Sequence, residues 1–217
     1  MLATFGHWNR LGAMTQELQN ALNQIFLDVI PKLEEGADTV QTIQQTLMSL
    51  ELIFEPVKPE PLPAWDYRQE VIDNAPSGIR GDLVEQVDAT WERVGWHRNP
   101  NYINDESLGR FRTWYGYNLY VGSFGMVKNT EIAVGMLLIS PNCLYPSHDH
   151  AASEIYVPIS GRAEWWNAES DWQIHEPGTP IYHRPWLPHA TRTLDEPLLA
   201  LFGWLGNTSE HATINKN

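Results

Sequence analysis

The sequence predicts an α+β fold in which a helical N-terminal part packs on a C-terminal antiparallel β-barrel. Three observations carry that expectation. Up to about residue 110, apolar residues recur three and four positions apart, the period of amphipathic helices. Beyond it, aromatic and β-branched residues dominate in short runs broken by Gly, Pro and Asn, the pattern of closely spaced strands. The apolar fraction, 42% of 217 residues, is enough for a core of ordinary domain size. The expected division is therefore 1–110 as a helical extension, with a Pro-rich connector at 55–64, and 111–217 as the barrel carrying the site.

In residues 13–35, Leu18, Leu22, Ile25 and Val29 fall at alternating steps of four and three, a stripe that Phe26 and Ile30 widen. Gly36 breaks this helix. Asp38 followed by Gln41 resembles a capping box ahead of TVQTIQQTLMSLELIF, a second helix. Pro56, Pro59, Pro61 and Pro63 make the next stretch an extended connector. A third helix is expected over 82–95, with Leu83, Val87 and Trp91 on one side. Strand runs follow: RTWYGYNLYVGSFG, EIAVGMLLIS, SEIYVPIS, RAEWWNA, DWQIHE, TPIYHR and LLALFGWLG. The helices could cap the barrel or serve the interface of a homodimer, and the sequence leaves both arrangements open.

A formal charge of −13 argues against nucleic acid, whose binding rests on clustered Lys and Arg, and against an anionic membrane surface. Cys143 is the single cysteine, so neither an intrachain disulfide nor a Cys-based zinc site is available. The opening residues lack the basic start and apolar run of a signal peptide, and no stretch approaches the ~20 apolar residues that span a bilayer. A cytoplasmic location is the expectation.

The chemistry concentrates in HDHAASEIY, residues 148–156. On a strand His148, His150, Glu154 and Tyr156 share one parity and hence one face. Imidazole and carboxylate together suit a divalent transition metal, but one strand cannot close a coordination sphere. His189, after the turn-like HRPWLP, is the candidate partner. Asp149 has the opposite parity. His175 and His183 are expected on outer strand faces or at a turn, outside the ligand set.

These residues carry a resemblance. HDHAASEIYVPISG resembles the first cupin motif, and GTPIYHRPWLPHA the second, with Gly178 and His189 eleven apart. Asn142 stands where cupins have a leading glycine. In the second motif the proline is shifted to Pro185, Trp186 replaces a glycine and Thr193 the terminal asparagine. Tyr156 and the stretch through EPLLALFGWLG are similar, more narrowly, to the cupin-type dimethylsulfoniopropionate (DMSP) lyases. That resemblance implies a cupin double-stranded β-helix and one divalent ion (Fe, Mn, Zn, Co or Ni) on His148, His150, Glu154 and His189. It also implies β-elimination of a small zwitterionic substrate to dimethyl sulfide and acrylate.

A proton next to a carboxylate is weakly acidic, so the ion would stabilise the developing charge. Tyr156 fits the base, because a nearby cation favours phenolate. Tyr145 is expected to orient the substrate or carry the proton, provided that Pro146 breaks the strand alternation. Tyr145, Trp165, Trp186, Phe202 and Trp204 are the candidate substrate-binding rings, since aromatic faces tolerate a sulfonium. Two other functions stay open: a metal-dependent cupin isomerase or dioxygenase on a small carboxylate, and a non-catalytic ligand-sensing cupin.

Overall fold

The structure, a computed structural model, describes residues 2–55 and 57–215, with side chains from Thr15 onward; Met1, Pro56, Lys216 and Asn217 lie outside the described residues. Helix α1 (Leu2–Val29) runs into a 3-10 turn over Ile30–Lys32. It buries Leu18, Leu22, Ile25, Phe26 and Val29, the stripe marked by the sequence period. Helix α2 (Ala37–Ser49) opens at Gly36, whose φ of 80° lies in the left-handed region. A Cβ at position 36 would also overlap the ring of Tyr182, so both constraints select glycine. Gly36 is itself the N-cap and no side-chain cap bond forms, so the capping box expected at Asp38 and Gln41 is not made. The helix ends at Ser49, short of the expected Phe54, because Leu50 turns extended. After the connector come a 3-10 turn at Pro63–Tyr67, a short helix α3 (Arg68–Asp73) without a sequence signal, and α4 (Ile79–Thr90).

The strands are β1 (Trp96–His97), β2 (Tyr115–Asn118), β3 (Val121–Gly122), β4 (Val127–Lys128), β5 (Ile132–Ile139), β6 (Leu144–Asp149), β7 (Ser153–Ser160), β8 (Ala163–Asn167), β9 (Ser170–His175), β10 (Ile181–His183), β11 (His189–Thr193), β12 (Leu198–Leu205) and β13 (Thr213–Ile214). Among the described residues they form two sheets. The larger runs β1-β2-β5-β12-β7-β10, with β3 and β4 beside it, and the smaller β13-β6-β11-β8-β9. Every pairing is antiparallel except β3 with β4. The α+β arrangement expected from the sequence, N-terminal helices packed on antiparallel sheets, is what the chain adopts. Its sheets face each other as a sandwich and are not joined into one closed ladder.

The larger sheet is buried on both faces, which explains why β5, buried at every position, reads as an unbroken apolar run. Val134, Met136 and Leu138 of β5 join Leu22, Ile43 and Val84 of the helices in one apolar cluster. Leu137 and Ile139 point the other way, into a second cluster with Tyr145 and Phe202. Strand β7 divides likewise: Ile155, Val157 and Ile159 face the helices, while Tyr156 joins the inner cluster. The helices therefore cover the outer face of this sheet, each buried Leu or Ile contributing about 1.5–3 kcal/mol. The inner space between the sheets is left for chemistry. No described helix is long and apolar enough to cross a membrane.

Candidate metal centre

Strand register lays the site out in rows. Across the larger sheet His183, Glu154 and Trp204 stand side by side, and Ile181, Tyr156 and Phe202 form the next row. Across the smaller sheet His148 pairs with His189, and Tyr145 with Thr191 and then Trp165. The two sheets bring Glu154 Oε2 to 3.1 Å from His189 Nε2, and His150 Nε2 also lies at 3.1 Å. The donor atoms of His150, Glu154 and His189, all buried, lie within 4.8 Å of one another. His148 borders this group, its ring centroid 4.1 Å from that of His189.

Tyr145 and His148 have opposite parity, yet both are buried. The ladder explains this. His189 pairs with His148 and Thr191 with Tyr145, so β6 carries one residue more than β11 between the same two rungs. That extra residue is a bulge, which turns Tyr145 to the inner face. The two rings then stack at 3.8 Å.

The imidazole tautomers can be assigned from their partners. Nδ1 of His148, His150 and His189 lies 2.8, 3.0 and 2.8 Å from the carbonyls of Pro146, Ala152 and Leu187. A carbonyl only accepts, so each Nδ1 carries the hydrogen and each Nε2 keeps a lone pair. The Nε2 lone pairs of His150 and His189 thus converge on a carboxylate, which is itself an acceptor, and His189 Nε2 is buried without a hydrogen-bond partner. Such a set of acceptors is cohesive only around a shared positive charge. Backbone carbonyls holding the far nitrogens are the usual support of metal-binding histidines. The donor set therefore fits a divalent ion, and the identity of the metal is not determined by it.

Burial alone would raise the Glu154 carboxyl. The imidazoles packed around it, His150 foremost and then His183 and His189, outweigh it and hold the group well below the usual carboxylate range. The other oxygen, Oε1, accepts from Trp204 Nε1 at 2.5 Å. Burial, then His189, pushes His148 well below the ordinary imidazole value. The Tyr156 phenol is pushed well above its ordinary value by burial and then by the Glu154 carboxylate, and Tyr145 mainly by burial.

A cavity lies against this cluster, lined by Glu154, Tyr145, Tyr156, Phe202, Trp204 and, nearer the surface, Tyr117, Phe124 and His211. Of the five rings expected to bind substrate, Tyr145, Phe202 and Trp204 line it. Trp165 is buried behind Tyr156, with ring centroids 5.0 Å apart. Trp186 is a correction: it is 59% exposed and turned away, because its φ of 61° directs the side chain outward. His183 is a second one. It is 1% exposed, not on an outer face, with Nδ1 3.4 Å from Glu154 Oε2. Parity groups it with Ile181, but a three-residue run does not say which of its faces is buried. Tyr102, whose hydroxyl is 3.4 Å from that of Tyr145, comes from a loop with no motif to mark it.

Residues 39–200 match the sequence pattern of the dimethylsulfoniopropionate lyase (DMSP lyase) family. The chain belongs to that family. DMSP lyase DddQ of Ruegeria pomeroyi is 33% identical over 87 residues, which are 40% of this chain and 43% of the relative. DMSP lyase DddY of Shewanella woodyi is 32% identical over 76 residues, 30% of this chain and 18% of the relative. The matches thus span under half the length of these curated relatives. A solved structure described as "DMSP lyases RdDddP and RnDddQII" superimposes with a TM-score of 0.73 over 94% of this chain and 98% of its own, at 21% identity. Ruegeria pomeroyi DddQ gives 0.70 over 92% and 96%, at 20% identity. At that identity the likeness establishes the fold.

Membership in the DMSP lyase family gives meaning to the departures from the cupin motifs. Asn142 and Trp186, which stand at motif glycines, are the two non-glycine residues with positive φ among those described, at 51° and 61°. The backbone shape persists without glycine. Thr193, in place of asparagine, ties β11 to the loop before β6: its hydroxyl donates to the Ser140 carbonyl at 2.7 Å and accepts from the Cys143 N–H at 2.9 Å.

Proposed function

We propose that this protein is a metal-dependent DMSP lyase, splitting dimethylsulfoniopropionate into dimethyl sulfide and acrylate. The observation that carries the reading is the convergence of His150, Glu154 and His189 donors within 4.8 Å, beside a cavity that also presents Tyr145 and Tyr156. His148, His150, Glu154 and His189 would hold the ion. When bound, a divalent ion supplies Lewis acidity toward the substrate carboxylate and a field that favours a neighbouring phenolate.

Tyr156 is the base. Its phenolate oxygen takes the proton from the carbon next to the carboxylate, the C–H electrons form the new double bond, and the C–S electrons leave with dimethyl sulfide. The proton then resides on the Tyr156 oxygen until it passes to solvent. In the metal-free protein burial and Glu154 hold this phenol protonated, so ionisation of Tyr156 depends on the positive charge brought to Glu154. Tyr145, backed by the Tyr102 hydroxyl and stacked on His148, orients the substrate. Phe202 and Trp204 offer aromatic faces to the sulfonium, worth roughly 0.5–2 kcal/mol each, and no nucleophilic side chain to trap it.

The test is release of dimethyl sulfide from the purified, metal-loaded protein. Tyr156→Phe is expected to keep its metal and lose elimination by about 10²-fold or more, the usual scale for a positioned base. Normal turnover by that variant would refute the assignment of the base. Oxygen consumption with ferrous iron in place of dimethyl sulfide would refute the reaction.

A further inference from the structure

We propose that His183 is a positioning residue of the metal centre, holding Glu154 by a hydrogen bond and His189 by ring stacking without being a ligand itself. The inference rests on the metal-binding reading of His150, Glu154 and His189.

Four buried histidines crowd this site, and His183 differs from the other three in chemistry. Nδ1 of His148, His150 and His189 is spent on a backbone carbonyl, which leaves Nε2 a lone pair for a cation. His183 turns Nδ1 toward Glu154 Oε2, at 3.4 Å. A carboxylate can only accept, so this Nδ1 carries a hydrogen and donates it. The nitrogen nearest the cluster therefore has no lone pair to offer. Like His148, it lies outside the three-residue group whose donors come within 4.8 Å of one another, but His148 keeps its Nε2 lone pair.

Its neighbours explain what it does. His183 is the register partner of Glu154 on one side, as Trp204 is on the other. The carboxylate is thus gripped from both flanks, Oε1 by the Trp204 indole at 2.5 Å and Oε2 by His183. The same imidazole lies flat on His189, centroids 3.9 Å apart and planes 16° apart, which fixes the ring plane of a ligand from the opposite sheet. One side chain thereby constrains two ligands that no shared strand connects. His183 is in turn anchored from behind. Tyr182, the next residue, packs against the helical core and over Gly36, so the turn between α1 and α2 sets the height of β10. Removing such outer partners typically costs 10–100-fold in metal affinity.

The experiment titrates Co²⁺ into the metal-stripped full chain, followed by visible absorption and calorimetry, with melting of the metal-free protein as the folding control. Wild type is expected to bind one equivalent. His183→Phe, which keeps a stacked ring but no donor, should bind about 10–100-fold more weakly with an altered cobalt spectrum. His183→Asn, whose amide N–H can occupy the Nδ1 position but which lacks the stacked ring, should recover only part of the affinity. Affinity of His183→Phe equal to wild type overturns the inference and leaves the centre intact. Loss in His183→Phe with no recovery at all in His183→Asn overturns it too, since the hydrogen-bond donor would then contribute nothing. If His183→Phe loses Co²⁺ as completely as Glu154→Ala, His183 is a ligand and the positioning role is wrong. Absence of Co²⁺ binding by wild type removes the metal centre together with this role.

Discussion

Glu154 and Ile155 are consecutive on β7 and equally buried, at 0% exposure, yet they stand in opposite environments. Ile155 faces the helices in an apolar cluster that needs only volume and shape. Glu154 faces a set of imidazoles, an indole and two phenols, where each polar atom needs a partner. Burying an ionised carboxylate is expensive unless charge and hydrogen bonds compensate. The outer face stores the stability of the sheet, and the inner face draws on it to hold an acceptor cluster in place. Substitutions on the two faces should therefore separate metal binding from stability.

The largest separation is expected at Glu154. Glu154→Gln removes the charge and keeps the shape, and calorimetric metal affinity should fall by more than the ~10–100-fold typical of an outer partner. The metal-free melting temperature should change little by comparison, because fewer acceptors then crowd one another. Retained metal affinity would erase the contrast between the faces. The mirror experiment is Leu201→Ala on β12, a buried residue of the helix-facing cluster. It should cost about 2–5 kcal/mol in denaturant unfolding. Metal affinity of the folded fraction should stay within a few-fold of wild type, and a larger drop would mean that the helical layer and the site are not separable.

Acid should act most strongly on the inner face, although burial also lowers His97, His175 and His211. Burial, and then His189, lowers the His183 imidazole to about 4, against 6.5 when exposed. Between these values the unfolded chain binds a proton that the folded chain refuses. This contribution is complete above about pH 6.5 and is lost as pH falls toward 4, a matter of roughly 3 kcal/mol. His148, also lowered, acts in the same direction. Glu154, held low in the folded state, adds its own loss only below the unfolded carboxyl value. The melting temperature of metal-free protein should thus fall steadily from pH 7 to 5, and His183→Phe should flatten part of that slope. An unchanged slope in the variant would mean that another group carries the effect.

What was legible in the sequence follows the same division. The shared face of Glu154 and Tyr156 could be read because both lie on β7 and alternate. His148 belongs to β6 of the facing sheet and His150 to the turn between the two strands, so one strand's parity did not bring them together. The inward turn of Tyr145 required a break near Pro146, and the bulge in β6 supplies it. His183 could not be placed from its own neighbourhood. A three-residue strand has two equivalent faces, and the choice is made by Tyr182 seating over Gly36, far off in sequence. Helix α1 was legible as a stripe, whereas the start of α2 was not, since a left-handed glycine took the place of a side-chain cap.

Trp186 shows how one backbone angle can overrule composition. An aromatic residue three positions from His189 reads as a pocket ring, but at φ 61° its side chain leaves the site while its N–H donates to the His150 carbonyl at 2.9 Å. The position is kept for its main chain, which braces a ligand-bearing loop. A left-handed L-residue costs about 1–2 kcal/mol, whereas glycine gains freedom in the unfolded chain worth about 0.4–1 kcal/mol. Trp186→Gly should therefore be neutral to about 1 kcal/mol stabilising in denaturant unfolding, with dimethyl sulfide production and metal affinity unchanged. This is the smallest effect expected, and it discriminates sharply: a substrate-binding ring removed from the cavity would raise KM. Raised KM in this variant would return Trp186 to the pocket and mean that the loop closes over substrate in a conformation different from the one described.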